Sequence, residues 1–302
     1  MTYVSDYTKV KKRKFSINST LRVINIISLI FIAFTMIYPF WEILVKSFMS
    51  DREIIGSTTY FWPKEFQFEG YKTIFEDPTY NFGRAFLNSV FVTVLTTVYQ
   101  LTITTLSAYA LSKRSLPGRG IINFFFIFTM YFGGGIIPYY LVIRELGLLN
   151  NIWVLIFPQF ISVYNVLVMR SFFISFPHEL IEASKIDGAN EFQVFMKMVL
   201  PLSKAILATI ALFIAVGVWN NWFNSMLYLQ STPEYRPMAY VLKLIIEKSQ
   251  GKNNDTGMGV SVMIGESVQY AAIIVSTLPI LVVYPFLQKH FTKGVMIGSI
   301  KG

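Results

Sequence analysis

The chain has 302 residues, 54% of them hydrophobic and 14% charged, with a net charge of +9. Soluble domains carry roughly a quarter charged residues, so a chain this apolar points to a bilayer as its solvent and away from a water-soluble fold. With no cysteine and two histidines, His178 and His290, the sequence excludes a disulfide framework, a thiol nucleophile and a multi-histidine metal site.

A membrane-spanning helix needs about 20 mostly apolar residues, because the hydrocarbon core is about 30 Å thick and each residue rises about 1.5 Å. Six stretches qualify: 22–48, 85–111, 121–143, 152–173, 203–229 and 267–288. Their central portions lack Asp, Glu, Lys and Arg; the charges lie near ends, as with Glu42 and Lys46 in the first and Glu266 before the last. The expected fold class is therefore all-α, a polytopic membrane protein with six transmembrane helices. No linker or low-complexity tract divides it and no internal repeat stands out, so 1–302 reads as a single domain.

The first stretch follows a basic leader, Lys9 through Lys14. It is too long for a signal peptide and runs into Tyr38-Pro39-Phe40-Trp41 where a small-residue cleavage site belongs, so a retained helix is expected. With the N-terminus in the cytoplasm, segments 1–22, 112–120, 170–204 and 289–302 are cytoplasmic and hold 16 of the 26 Lys and Arg. That asymmetry follows the positive-inside tendency, and six spans put both termini on that side. It also gives the net charge a membrane reading with no nucleic-acid partner. The outer segment 50–84, with Trp62-Pro63 and Asp77-Pro78, reads as a small ordered loop structure. Asn18 and Asn254 open Asn-x-Ser/Thr triplets short enough to arise by chance. In the third stretch, Gly133-Gly134-Gly135 before Pro138 serves either close packing or a hinge.

Residues 176–201, FPHELIEASKIDGANEFQVFMKMVLP, are too polar to span and too patterned for a plain connector. Pro177 suits a first helical turn, and Leu180, Ile181 and Ser184 recur at helical spacing. Asp187-Gly188 interrupts the run, glycine being the residue that closes a helix in the left-handed conformation. Asn190 with Gln193 reads as a capping pair opening a second helix, to which Phe192, Phe195, Met196 and Val199 give an apolar stripe. Pro201 marks the passage into the fifth span. A helix–turn–helix along the cytoplasmic membrane face results; an interfacial amphipathic helix is the plainer alternative.

The string Glu182-Ala183-Ser184-Lys185-Ile186-Asp187-Gly188-Ala189, followed by Leu200-Pro201, resembles the EAA loop of binding-protein-dependent ABC importer permeases. The family pattern has Ala where this chain has Ser184, a small-for-small exchange. Six spans with that loop before the fifth, and the ending Lys293-Gly294 to Gly298-Ser299-Ile300-Lys301-Gly302, look like the maltose-type sugar permeases, so the resemblance covers most of the chain. It implies a multi-pass permease of the cell (inner) membrane, paired with a second permease subunit and two ABC ATPase subunits, and fed by an extracellular or periplasmic solute-binding protein. It implies that Glu182, Ala183, Ser184, Asp187, Gly188, Ala189, Leu200 and Pro201 couple to the ATPase, and that Gly298, Ser299 and Lys301 of the tail touch it. No Gly-x-x-x-x-Gly-Lys-Ser/Thr loop occurs in this chain, so ATP and Mg belong to the ATPase subunits, and no cofactor, metal or catalytic residue is expected here.

The resemblance favours a carbohydrate, an oligosaccharide, as solute. Trp219, Asn220, Asn221, Trp222 and Asn224 combine aromatic faces with amides, which suits sugars; interface anchoring by Trp and helix gluing by Asn are the plainer readings. Asn220 and Asn224 would share a helical face, as would Asn221 and Asn224. In the outer segment 230–265, Pro233, Glu234, Tyr235 and Arg236 are candidate contacts for the binding protein, against a merely solvated loop. A secondary transporter would need ionisable groups at mid-membrane, and a membrane-embedded glycan or lipid enzyme would need clustered acids. The outer acids Asp51, Glu53, Glu65, Glu69, Glu76 and Asp77 form no catalytic pattern.

Overall fold

The structure is a computed structural model that describes residues 19–57, 61–250 and 265–298. In chain order its helices are α1 (Ser19–Lys46), α2 (Asp51–Gly56), α3 (Glu69–Glu76), α4 (Phe82–Ser112), α5 (Arg119–Tyr131), α6 (Ile136–Glu145) and α7 (Val163–Ile174). They continue as α8 (His178–Ile186), α9 (Glu191–Val194), α10 (Leu200–Leu202), α11 (Lys204–Trp219), α12 (Phe223–Tyr228), α13 (Met238–Ser249) and α14 (Glu266–Gly298). Short 3₁₀ turns occupy Ile152–Leu155, Phe157–Gln159 and Pro233–Tyr235. Among the described residues there is no strand, as the all-α expectation requires.

Three helices are single apolar spans: α1, α4 and the first part of α14. Their bounds lie within a few residues of the expected 22–48, 85–111 and 267–288 at most ends, with α14 running on to Gly298. The other three expected spans are broken, which composition could not reveal. The third bends by 110° between α5 and α6, the fourth by 42° between residues 152–159 and α7, and the fifth is interrupted between α11 and α12, while a further bend of 78° separates residues 191–202 from α11. At the third break Gly135 has φ 86°, a left-handed backbone open to glycine. Among the described residues, chain neighbours aside, nothing lies within 4 Å of where a Cβ would stand at Gly133 or Gly135, and at Gly134 only Pro138 Cβ, at 3.9 Å, so the glycines mark the helix break without close packing there.

The main core lies where α4, α7 and α11 meet, around Val92, Ala108, Val166, Met169, Ile210 and Ile214. In the bilayer such helices are held by van der Waals packing and interhelical hydrogen bonds. The inward stripe of α4 mixes apolar residues with Ser89, Thr96, Gln100 and Thr104. A second cluster packs α3, α13 and α14 with the start of α4, through Ile74, Phe82, Met238, Ile245 and Ala271. By contrast, α5 buries none of its residues, and α1 exposes nearly all of its apolar side chains up to Trp41. Such surfaces match a hydrocarbon solvent. Near the end of α1 the two charges flagged in the sequence neutralise each other, Lys46 Nζ standing 2.5 Å from Glu42 Oε1 one turn away.

The segment after the first span is ordered as expected, into α2 and α3, with Ser50 capping α2. Residues 230–250 correct the picture of a solvated loop. Helix α13 is built into the second cluster, and the Asn88 amide donates to the carbonyls of Glu234 and Arg236 at 2.8 and 3.2 Å.

Candidate functional site

The helix–turn–helix of residues 176–201 forms as its local signals require. Pro177 precedes α8 as its N-cap. At the other end Gly188 takes φ 83°, its N–H donates to Lys185 O, and the Ala189 N–H donates to Ser184 O, both at 3.0 Å. That is a Schellman closure, satisfying carbonyls the helix leaves orphaned. The next helix opens with a reciprocal capping box: Asn190 Oδ1 accepts from Gln193 N–H at 2.9 Å, and Gln193 Oε1 accepts from Asn190 N–H at 3.0 Å. Ser184, in the place of the family's alanine, donates to Leu180 O at 3.0 Å and lies 3.2 Å from Met198 Sδ, touching the second arm.

The second arm departs from the expected stripe. From Phe195 to Val199 the backbone widens into a π turn before α10. Its inward residues are Val194, Phe195 and Val199, whereas Phe192 and Met196 face outward. A π turn passes an extra residue per turn, so a pattern assumed at 3.6 residues drifts off the face. Leu200 and Pro201 form α10, and Ser203, fully buried, donates to Val199 O at 2.7 Å at the bend into α11.

On α8, Ile181 and Ser184 turn inward and touch the core or the second arm, while Leu180, Glu182, Ala183 and Ile186 are exposed. Ile186, 86% exposed, ranks among the most exposed large apolar residues described. Asp187 and Gly188 are exposed at the turn and Ala189 is half-buried against the core.

A residue the sequence reading missed binds this unit to the spans. Glu191, at the start of α9, accepts from Tyr109 Oη at 3.1 Å and pairs with Lys113 at 3.2 Å and Lys185 at 2.5 Å. Tyr109 belongs to the last turn of α4, Lys113 is its C-cap, and Lys185 belongs to α8. The lysines, Lys185 foremost, with the Tyr109 hydroxyl, hold the Glu191 carboxyl at about 2, well below the ordinary carboxylate range. Tyr109 also packs its ring 4.7 Å from that of Phe195, and Lys113 lies over the same ring at 4.4 Å. The available signal was an acid in the first turn of a capped helix, but Lys113 and Tyr109 lie 78 and 82 residues away along the chain.

The aromatic and amide group of the fifth span is not one helical face. The helix α11 ends at Trp219 and α12 starts at Phe223. Trp219 is an internal anchor, its indole N–H donating to Ser276 O at 3.3 Å and its ring 6.2 Å from Phe86. Asn220 donates back to Val216 O, and Asn221 Oδ1 accepts from Asn224 N–H. Trp222 receives Lys243 Nζ 4.8 Å from its ring centroid. Asn221 also borders a small cavity of mixed lining, with Ser89, Thr93 and Gln159 beside Val92, Leu155 and Val218. The group thus marks a helix break, its amides largely spent on local backbone. Pro233–Tyr235 form a 3₁₀ turn, and the Arg236 guanidinium lies 5.4 Å from the Tyr240 ring. Gly298 is the last helical residue of α14; Ser299 and Lys301, like Asn18, Asn254 and the basic leader, lie outside the described residues.

Comparison with known proteins places these features. Residues 8–297 match the family described as "Binding-protein-dependent transport system inner membrane component". The chain is 43% identical over 282 residues to protein LplC of Bacillus subtilis (strain 168), covering 93% of this chain and 94% of that one. It is 39% identical to the polygalacturonan/rhamnogalacturonan transport system permease protein YtcP of the same organism, over 91% and 96%. The trehalose/maltose transport system permease protein MalG of Thermococcus litoralis is 29% identical, over 93% and 97%. Among solved structures, a chain of a bacterial ABC transporter involved in the import of the acidic polysaccharide alginate superposes with a TM-score of 0.79 at 30% identity, covering 94% of this chain and 100% of that one.

Proposed function

The chain belongs to the family of binding-protein-dependent transport system inner membrane components, and from that premise we propose that it is one of two permease subunits of an ATP-driven importer, passing an oligosaccharide received from an extracellular solute-binding protein. On this reading 1–302 is one permease domain with both termini cytoplasmic, and two ATPase subunits beneath it supply ATP, Mg and hydrolysis. Family membership favours this over a secondary carrier or a membrane-embedded enzyme. The oligosaccharide assignment is supported by what relatives of this overlap are named for, polygalacturonan/rhamnogalacturonan and trehalose/maltose among them.

The observation that carries the coupling role is the build of residues 176–201: a turn locked by left-handed Gly188, an exposed small and apolar edge at Ala183 and Ile186, and a carboxylate, Glu191, joining both arms to the end of α4. The edge suits close approach by another protein, and the exposed Glu182 suits a basic residue there. When the ATPases close, displacement of α8 would travel by two routes. One runs through Glu191 to Lys113 and Tyr109 on α4; the other runs through the π turn and α10 into α11. Outward and inward access would then alternate as those helices move. The break at Asn220–Trp222, where Asn221 borders a small cavity of mixed lining, is our choice for solute contact, with Asn224 beside it. Pro233, Glu234, Tyr235 and Arg236 are our choice for the binding-protein contact, and Gly298, Ser299 and Lys301 for a tail contact with the ATPase.

The test is solute-stimulated ATPase activity of the reconstituted complex. Glu182→Lys is expected to insert and assemble in the membrane but to lose stimulation. Normal stimulation would count against coupling through this residue.

A further inference from the structure

A cavity of about 370 Å³ lies beneath the helix–turn–helix, walled by the end of α7, α8, Glu191 and the α4–α5 turn. Its charged lining is Lys113, Arg114, Arg119 and Lys185 against Glu182 and Glu191. Lys113 and Lys185 are already committed to Glu191. Among the described residues, Arg114 and Arg119 have no ion-pair partner, and Glu182 is the one acid left to oppose them. Arg119 Nε is buried and meets no acceptor, a condition that costs free energy unless something supplies one. Arg170 stands near enough for its charge and that of Arg119 to oppose each other; its Nε donates to the Leu111 carbonyl. The first turn of α5 adds N–H groups without a side-chain cap, since its N-cap is Gly118.

Next to these cations the surface turns apolar. The helix that begins at Arg119 buries nothing, and Ile121, Phe124, Phe125 and Phe128 are exposed along it. A ligand meeting both halves carries a phosphate at one end and hydrocarbon at the other. We propose that this cavity holds the phosphate of an anionic phospholipid, with its acyl chains along α5. Basic pockets between membrane helices on the cytoplasmic side take such headgroups. The inference rests on the proposed function only in taking the face of residues 176–201 as cytoplasmic. Because Lys113 and Lys185 share the cavity with Glu191, a bound headgroup also borders the clamp on the coupling helices.

The experiment is native mass spectrometry of the intact transporter released from nanodiscs of equal phosphatidylglycerol and phosphatidylcholine, with solute-stimulated ATPase measured in parallel. The wild-type complex is expected to retain phosphatidylglycerol preferentially. Arg114→Gln with Arg119→Gln should lower that retention on the order of tenfold or more, and Arg119→Lys should keep much of it. Arg114→Gln alone, at an exposed position, gives an arm free of folding damage and should show a smaller drop of the same sign. Equal retention by wild type and double variant overturns the proposal. So does loss of lipid preference in the ATPase-docked complex with preference in the free subunit, which would mean that protein covers these cations. Absent lipid preference together with phosphate that protects the Arg119 region from guanidine-directed labelling would assign the site to free phosphate and remove the lipid. If lipid retention fails while stimulation by solute stays normal, this inference falls and the importer reading stands; the reverse result separates them the other way.

Discussion

Two joints of this molecule are built on opposite principles. Where α3 meets α14, backbone lies against backbone: a Cβ added at Gly70 would stand 2.7 Å from Ser267 O, and Asp51 Oδ1 accepts the Ser267 N–H at 2.8 Å. Around it Ile74, Ala271 and Ala272 are fully buried. Where α8 and α9 meet the spans, the connection is a backbone dihedral at Gly188 and long charged side chains converging on Glu191, with Leu180, Ile186 and Phe192 left exposed. The first joint is complete within the chain and stiff, because packed backbones have no slack. The second is held by contacts that tolerate displacement, and it leaves apolar side chains exposed.

Substitutions can break or sharpen that contrast. The largest effect is expected from Gly70→Val, which drives atoms into the Ser267 carbonyl; overpacking of this kind costs about 1–3 kcal/mol. It should appear as a lower Tm of the detergent-purified complex, and an unchanged Tm would mean the α3–α14 contact is looser than described. Next comes Gly188→Val. Among the described residues, chain neighbours aside, nothing lies within 4 Å of a Cβ there, so its cost, about 1–2 kcal/mol, is backbone strain. Solute-stimulated ATPase should fall for Val and largely persist for Asn, which enters the left-handed region readily. Equal activity of Val and wild type would remove our account of the turn.

Glu191→Gln should cost less stability, about 0.5–1 kcal/mol, since its ion pairs are half-exposed, while loosening the link between α4 and the helix–turn–helix. Its carboxyl sits at about 2, below the ordinary value of 4.5. A depressed carboxylate contributes fully above 4.5 and loses its contribution as pH falls from there through about 2. The Tm gap between wild type and Glu191→Gln should therefore be flat from pH 8 to about pH 5 and shrink below it; a gap that widens on acidification contradicts the clamp. Ser184→Ala, the exchange that restores the family residue, should change Tm least, within about 0.5 kcal/mol, since it gives up a bond to Leu180 O and a weak sulfur contact.

The contrast also explains what could be read from the residues alone. Span length and apolarity report the solvent a segment meets, so α1 and α4 are legible almost to their ends and α14 at its start. The same signal is blind to continuity, and the breaks at 132–135, 160–162 and 220–222 lie inside stretches whose overall apolarity suffices for a span. Only Gly133-Gly134-Gly135 advertised one of them. Caps are local chemistry, hence Gly188 and the Asn190–Gln193 box emerge from neighbouring residues. The Glu191 clamp does not, because Tyr109 and Lys113 reach it through tertiary folding. The outward turn of Met196 escaped because the π segment departs from the period on which the stripe was drawn.

The bend of 78° between residues 191–202 and α11 gives the second joint a mechanical character. Two arms at nearly a right angle about a fixed pivot, here Ser203 tied to Val199 O, make a bell crank. On the proposed coupling role, a sideways pull at Ala183, in the plane of the bilayer, would emerge as a tilt of the arm that crosses it.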